Sequence, residues 1–146
     1  RSSQTAPFDL TLIVEDPVES PFKVFMSDYF SAEELANPAI TGPAADPDLD
    51  GIDNTMEFVL DLNPLASDSI PGAIGLDSND PQMLRYEIPL NGFATETTVG
   101  FEESTSLEGS WQPASGGVVE RTDTMIVLTA PLAGKKFYRL KVIVEE

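Results

Sequence analysis

The chain has 146 residues and sets 25 Asp and Glu against 8 Lys and Arg, a formal charge of −17 with a pI near 4.1. Such a field repels phosphate backbones and argues against nucleic-acid binding. With no Cys and no His, the sequence excludes disulfides, thiol catalysis, cysteine-ligated zinc and imidazole acid–base chemistry. No apolar run approaches the ~18 residues of a spanning helix. The length suits one domain, or a small domain with an appended element.

Residues 1–80 hold 16 acids and 2 bases, residues 81–146 hold 9 and 6, so two parts with different jobs are expected. Residues 1–9 are polar and read as a linker, as in a piece of a longer protein. LTLIVE at 10–15 reads as a strand, so 1–20 are taken as linker plus N-terminal strand. Ser20 and Pro21 fit an N-cap and first helical position. Phe22, Phe25, Met26, Tyr29 and Phe30 then fall on one helical face. Ser31 with Glu34 reads as a capping box, ended by Asn37-Pro38, and AITGPAA as loop. TMEFVLDL predicts a two-turn helix with Met56, Val59 and Leu60 on one face, stopped at Asn63-Pro64.

The character changes near residue 66. SDSIPGAIGLDSNDP reads as a turn-rich connection. LRYEIPL, TTVGFEES, MIVLTAPL and KFYRLKVIVE alternate as half-buried strands, with VVERT weaker and ASGGVV as a hairpin turn. The expected fold is therefore α+β: a short helix–loop–helix segment over 21–66, packed on a small antiparallel β-sandwich over 67–146, sharing one core.

The chemistry concentrates in DPDLDGIDNTME, residues 46–57, which fits D-x-[DN]-x-[DN]-G-x5-E without a gap. Asp46, Asp48 and Asp50 take loop positions 1, 3 and 5, and Gly51 takes the sharp turn at 6. Ile52 offers its carbonyl at 7, Asn54 a side chain or water at 9, and Glu57 a two-oxygen carboxylate at 12. Alternate side chains curling inward supply the oxygens that calcium takes, and no soft ligand is present for zinc or copper. Position 8 is Asp53 rather than an aliphatic residue, which predicts a single structural site rather than a paired sensor. The competing reading is an acidic turn, with Asp50 or Asn54 as an N-cap and Glu57 as the capping-box partner of Asn54. DSND at 77–80 lacks a glycine and a far ligand, and reads as turn chemistry.

The order F-x-x-x-YFSAEEL, GPAADPDLDGIDNTMEFVLDLNPLA, FEESTSLEGSW and KFYRLKV, over residues 22–144, resembles a C-terminal module of large secreted proteins of aquatic bacteria. Its DPDxDGxxN core is similar to a bacterial thrombospondin type 3-like calcium repeat, most specifically over Asp46–Leu65. The resemblance implies an extracellular, calcium-loaded accessory domain whose partners are upstream domains of the same polypeptide, often in proteins that degrade or bind polysaccharide. It carries Asp46, Asp48, Asp50, Asn54 and Glu57 over as calcium-site residues and implies no catalytic residues. Leu49 stands where a small residue is usual.

Other groups carry less. Glu102 and Glu103 are strand neighbours and point to opposite faces, so they cannot flank one glycosidic bond. Ser104, Thr105 and Ser106 lack a nearby base. Trp111, the sole tryptophan, is read as core or edge before sugar platform. Arg139 and Lys141 share a strand face, with Arg85 expected on the same side. They are a candidate patch for anionic polysaccharide, against which stands cross-strand pairing with Glu87, Glu102 or Glu103. The expectation is thus a non-enzymatic calcium module, with a carbohydrate-binding module using Trp111, Arg85, Arg139 and Lys141 as the alternative.

Overall fold

The computed structural model describes residues 19–144; the strand expected at 10–15 and the linker at 1–9 lie outside the described residues. Four short helices come first. Ser20 Oγ accepts the Lys23 N–H and Pro21 takes the first helical position, so α1 runs Pro21–Ser27. The helix stops a turn before the apolar pattern does, yet the face persists: Phe22, Phe25, Met26 and Phe30 are buried and Tyr29 half-buried. The expected capping box opens α2 (Ala32–Leu35), with the Ser31 N–H and hydroxyl donating to Glu34 Oε2 at 2.9 and 2.7 Å.

Asn37-Pro38 ends α2 but also starts a helix. Asn37 Oδ1 accepts the Ala39 N–H, and α3 (Pro38–Thr41) forms where a loop was expected. The same proline that cannot continue one helix is preorganised to begin the next. α4 runs Asn54–Leu60 and ends at Asp61, which turns left-handed at φ 57°. The Asp61 and Leu62 N–H groups both return to the Glu57 carbonyl, so the helix stops ahead of Asn63-Pro64.

Seven strands follow among the described residues, in two antiparallel sheets. β1 (Ala73–Leu76), β2 (Met83–Pro89), β6 (Met125–Pro131) and β5 (Val118–Arg121) lie in the order β1-β2-β6-β5. The second sheet is β4-β3-β7, from β4 (Gln112–Pro113), β3 (Thr97–Ser104) and β7 (Phe137–Val144). β1 lies within the stretch read as connection; all four of its residues are exposed, so it has no burial alternation to betray it. β4 is two residues long and is defined by pairing Glu102↔Pro113 and Glu103↔Gln112.

Gly116 and Gly117 are not a hairpin turn. They carry the chain from β4 in one sheet to β5 in the other. A Cβ on Gly117 would sit 2.5 Å from the Thr129 carbonyl oxygen of β6, so only glycine lets the crossing strand lie this close. Gly117→Ala is expected to lower stability by about 1–3 kcal/mol, the usual cost of overpacking. Urea denaturation of the two proteins checks this.

Helices and sheets share one apolar core, as anticipated. Phe22, Phe25, Met26, Phe58 and Val59 from the helices meet Ile88, Ile126 and Leu128 of the first sheet and Phe101 and Leu140 of the second. Tyr86 and Phe101 join the sheets with ring centroids 5.8 Å apart. Two polar clasps hold the parts in place. Asn91, between β2 and β3, donates its N–H to the Val59 carbonyl at 2.8 Å and its Nδ2 to the Phe58 carbonyl at 3.0 Å, satisfying the last carbonyls of α4. Arg121 of β5 donates to the Thr97 and Ala94 carbonyls, tying the edge of the first sheet to the start of β3. α4 is thereby fixed in position, and α4 carries Glu57.

Candidate metal centre

The acidic loop lies between α3 and α4 and is closed by backbone bonds. The Asn54 N–H donates to the Ala45 carbonyl at 2.8 Å, and the Thr55 N–H and hydroxyl both reach the Pro43 carbonyl at 3.0 Å. Within it the aspartates organise the backbone. Asp46 accepts the Leu49 N–H on Oδ1 and the Gly51 N–H on Oδ2, both at 2.9 Å. Asp48 Oδ1 accepts the Asp50 N–H at 3.3 Å, and Asp50 Oδ1 the Ile52 N–H at 2.7 Å. Gly51 takes φ 91°, the left-handed region its position was read to need, and Leu49 takes φ 63°. A residue at Leu49 without a Cβ would meet that φ with less strain.

This winding turns one carboxylate oxygen from each of Asp46, Asp48 and Asp50 to within 4.8 Å of one another, a cluster able to hold a metal ion. Glu57 lies outside that tight group, and both Glu57 and Asn54 are wholly buried at 0% exposure. Asn54 Nδ2 donates to the Ile40 and Gly42 carbonyls, each at 2.9 Å, while its Oδ1 has no partner. Ile52, whose carbonyl belongs to the expected ligand set, buries its side chain.

The capping-box part of the competing reading fails at Glu57. The helix cap is Asp53, whose Oδ1 accepts the Met56 N–H at 2.9 Å. Asn54 is thus the first residue of the helix and not its cap, so Glu57 closes no capping box with it. Both Glu57 oxygens are buried with no hydrogen-bond partner among the described residues, and Asp48 Oδ2 shares that state. A buried carboxylate without a donor costs several kcal/mol if ionised. Burial accordingly pushes the Glu57 carboxyl up to about 8, helped by the charges of Asp48, Asp50, Asp46 and Asp68. Asp48 is raised as well, by desolvation first and by its aspartate neighbours, against the bond from the Asp50 N–H. Hard oxygen donors without counter-charge suit a hard divalent cation, and a bound calcium would be held by these side chains.

Asp68 is the residue that sequence spacing missed. Its N–H donates to Asp50 Oδ2 at 2.7 Å, across 18 residues. Between α4 and Asp68 the chain passes through the left-handed turn at Asp61 and the turn at Asn63–Ala66, and no motif spacing encodes that path.

The candidate sugar face divides. Trp111 is half-buried, with the Arg139 guanidinium 4.4 Å above its ring. Lys141 and Arg139 both bond Glu102, at 2.8 and 2.6 Å, which holds the Glu102 carboxyl below its usual range. Lys136 pairs with Glu103 at 3.1 Å. Arg85 is in the other sheet, on Glu87 at 2.7 Å, so it does not join Arg139 and Lys141. Glu102 and Glu103 are both buried, each with its own cation partner. Comparison of the chain with protein-family models, with curated proteins and with solved structures gave no match. No described helix is long and apolar enough to cross a membrane.

Proposed function

We propose that this chain is a non-catalytic, calcium-binding accessory module of a secreted multidomain protein, in which the ion stabilises the fold and its junction with neighbouring domains. The observation that carries the reading is the partnerless buried carboxylate of Glu57 behind three converging aspartates. Calcium is favoured over magnesium because a wound loop of carboxylates and carbonyls offers many flexible oxygens, whereas magnesium keeps a strict octahedron with several waters. The resemblance of residues 46–65 to a thrombospondin type 3-like calcium loop supports the secreted, accessory setting, as does the strong surface acidity. The candidate cations for polysaccharide, Arg85, Arg139 and Lys141, are engaged by Glu87 and Glu102, so no specific observation favours the carbohydrate-binding reading.

Calorimetric titration of the chelator-stripped protein tests the proposal. One calcium per chain is expected, with magnesium bound far more weakly, and Asp48→Asn is expected to lower calcium affinity by at least about tenfold. Absence of calcium binding at millimolar concentration sinks it.

A further inference from the structure

The segment leaving α4 returns to the acidic loop. After Asp61 the chain tucks Pro64 into the interior and closes a tight turn, with the Ala66 N–H on the Asn63 carbonyl at 3.0 Å. Asn63 Oδ1 accepts the Leu65 N–H and Asp68 Oδ2 accepts the Asn63 N–H, both at 3.0 Å. The turn so formed presents the Asp68 N–H to Asp50 Oδ2 at 2.7 Å. The carboxylate it reaches, that of Asp50, is one of the three in the cluster, and beyond Asp68 the chain goes on to β1.

From this geometry we infer that Asp68 is a fifth acidic residue of the metal centre, and that calcium acts as a latch holding the 61–72 connector against the loop. The inference rests on the calcium reading above, and on the same buried, partnerless Glu57 that supports it. The electrostatics give the latch its sense. Asp46, Asp48, Asp50, Glu57 and Asp68 gather with no lysine or arginine among them, and no ion pair found among the described residues includes any of the five. Without a cation the charge on Asp68 is repelled by the loop that its own N–H is bonded to. A divalent cation reverses the sign of that interaction, orients Asp50 for both the metal and the Asp68 N–H, and makes the two bonds mutually reinforcing. Asp68 is therefore a positioning residue, acting through Asp50 and through its charge. The connector between the helical part and the first strand tightens with calcium.

Backbone amide hydrogen exchange with and without calcium, alongside calorimetry, tests this on the intact chain. Calcium is expected to slow exchange over residues 63–70 by at least about tenfold relative to β2 and β6 amides. Asp68→Asn is expected to weaken calcium binding about tenfold and to remove that selective protection. Asp61→Asn deletes the same charge from the same connector, but only the Asp61 backbone, through the Glu57 carbonyl, is bonded to the loop and its carboxylate makes no bond there among the described residues; its effect should be clearly smaller. Calcium binding in the wild type with equal affinity in Asp68→Asn, or equal effects of Asp61→Asn and Asp68→Asn, overturns the latch and leaves the calcium site standing. No calcium binding in the wild type overturns both.

Discussion

Glu57→Gln is expected to move stability in different ways with and without calcium. At a calcium concentration 100 times the dissociation constant, the wild-type protein gains about 2.7 kcal/mol, which raises the melting temperature by roughly 10 °C for a domain of this size. The glutamine variant, with one neutral oxygen in place of a carboxylate, should lose most of that rise. In chelator the pH dependence is diagnostic. The folded-state value of about 8 lies above the ordinary 4.5, so the folded protein holds the proton more tightly than the unfolded chain. Its contribution to stability is fully present below pH 4.5 and is lost as the pH rises through 8, about 1.4 kcal/mol for each unit in that window. The ion-free wild type should weaken from pH 5 to pH 8.5, and Glu57→Gln should flatten that slope. Binding of calcium at pH 7 should release close to one proton. Urea unfolding across pH, in chelator and in calcium, reads all of this. A wild type with no slope in chelator, or a variant that keeps the full calcium shift, contradicts it.

Phe58→Ala is expected to cost about 3–5 kcal/mol, the usual range for a buried aromatic. Its ring packs edge-on against Phe22 at 5.7 Å and tilted against Phe25 at 5.5 Å, and its carbonyl is held by Asn91. These contacts link α1, α4 and the β2–β3 connection. Because the core is shared, the loss should lower a single transition seen equally by far-UV dichroism and by tyrosine absorbance. Two separated transitions would mean that residues 21–66 and 67–146 unfold as independent units.

What the sequence revealed was local. The DPDLDGIDNTME loop, the Ser20 and Ser31 caps and the period-2 strands depend on neighbours a few residues apart, and spacing records such neighbours directly. The same limit explains the misses. Asp53 and Asn54 are both good caps, and only the bond from the Met56 N–H to Asp53 Oδ1 shows which of them caps and which lies inside the helix. Alternation places Arg85 and Arg139 each on a face of its own strand, but it cannot say that the two strands belong to different sheets. β1 and β4 owe their pairing to partners rather than to their own residues. The bond from Asp68 to Asp50 spans 18 residues, and the path between them includes a left-handed turn at a non-glycine residue.

The pairing of Trp111 with Arg139 gives the protein a built-in optical gauge. The only indole in the chain sits beneath a guanidinium on the outer side of β7, while Leu140 on the inner side joins the core that holds α4. Its emission therefore reports the integrity of the second sheet. The tyrosine half-buried beside Phe25, Tyr29, has its hydroxyl pKa raised first by desolvation and then by the charges of Asp61, Asp28, Glu57 and Asp68. Excited beyond the tyrosine band, Trp111 thus reads the second sheet by itself, whereas tyrosine emission sums Tyr29 with Tyr86 of β2 and Tyr138 of β7.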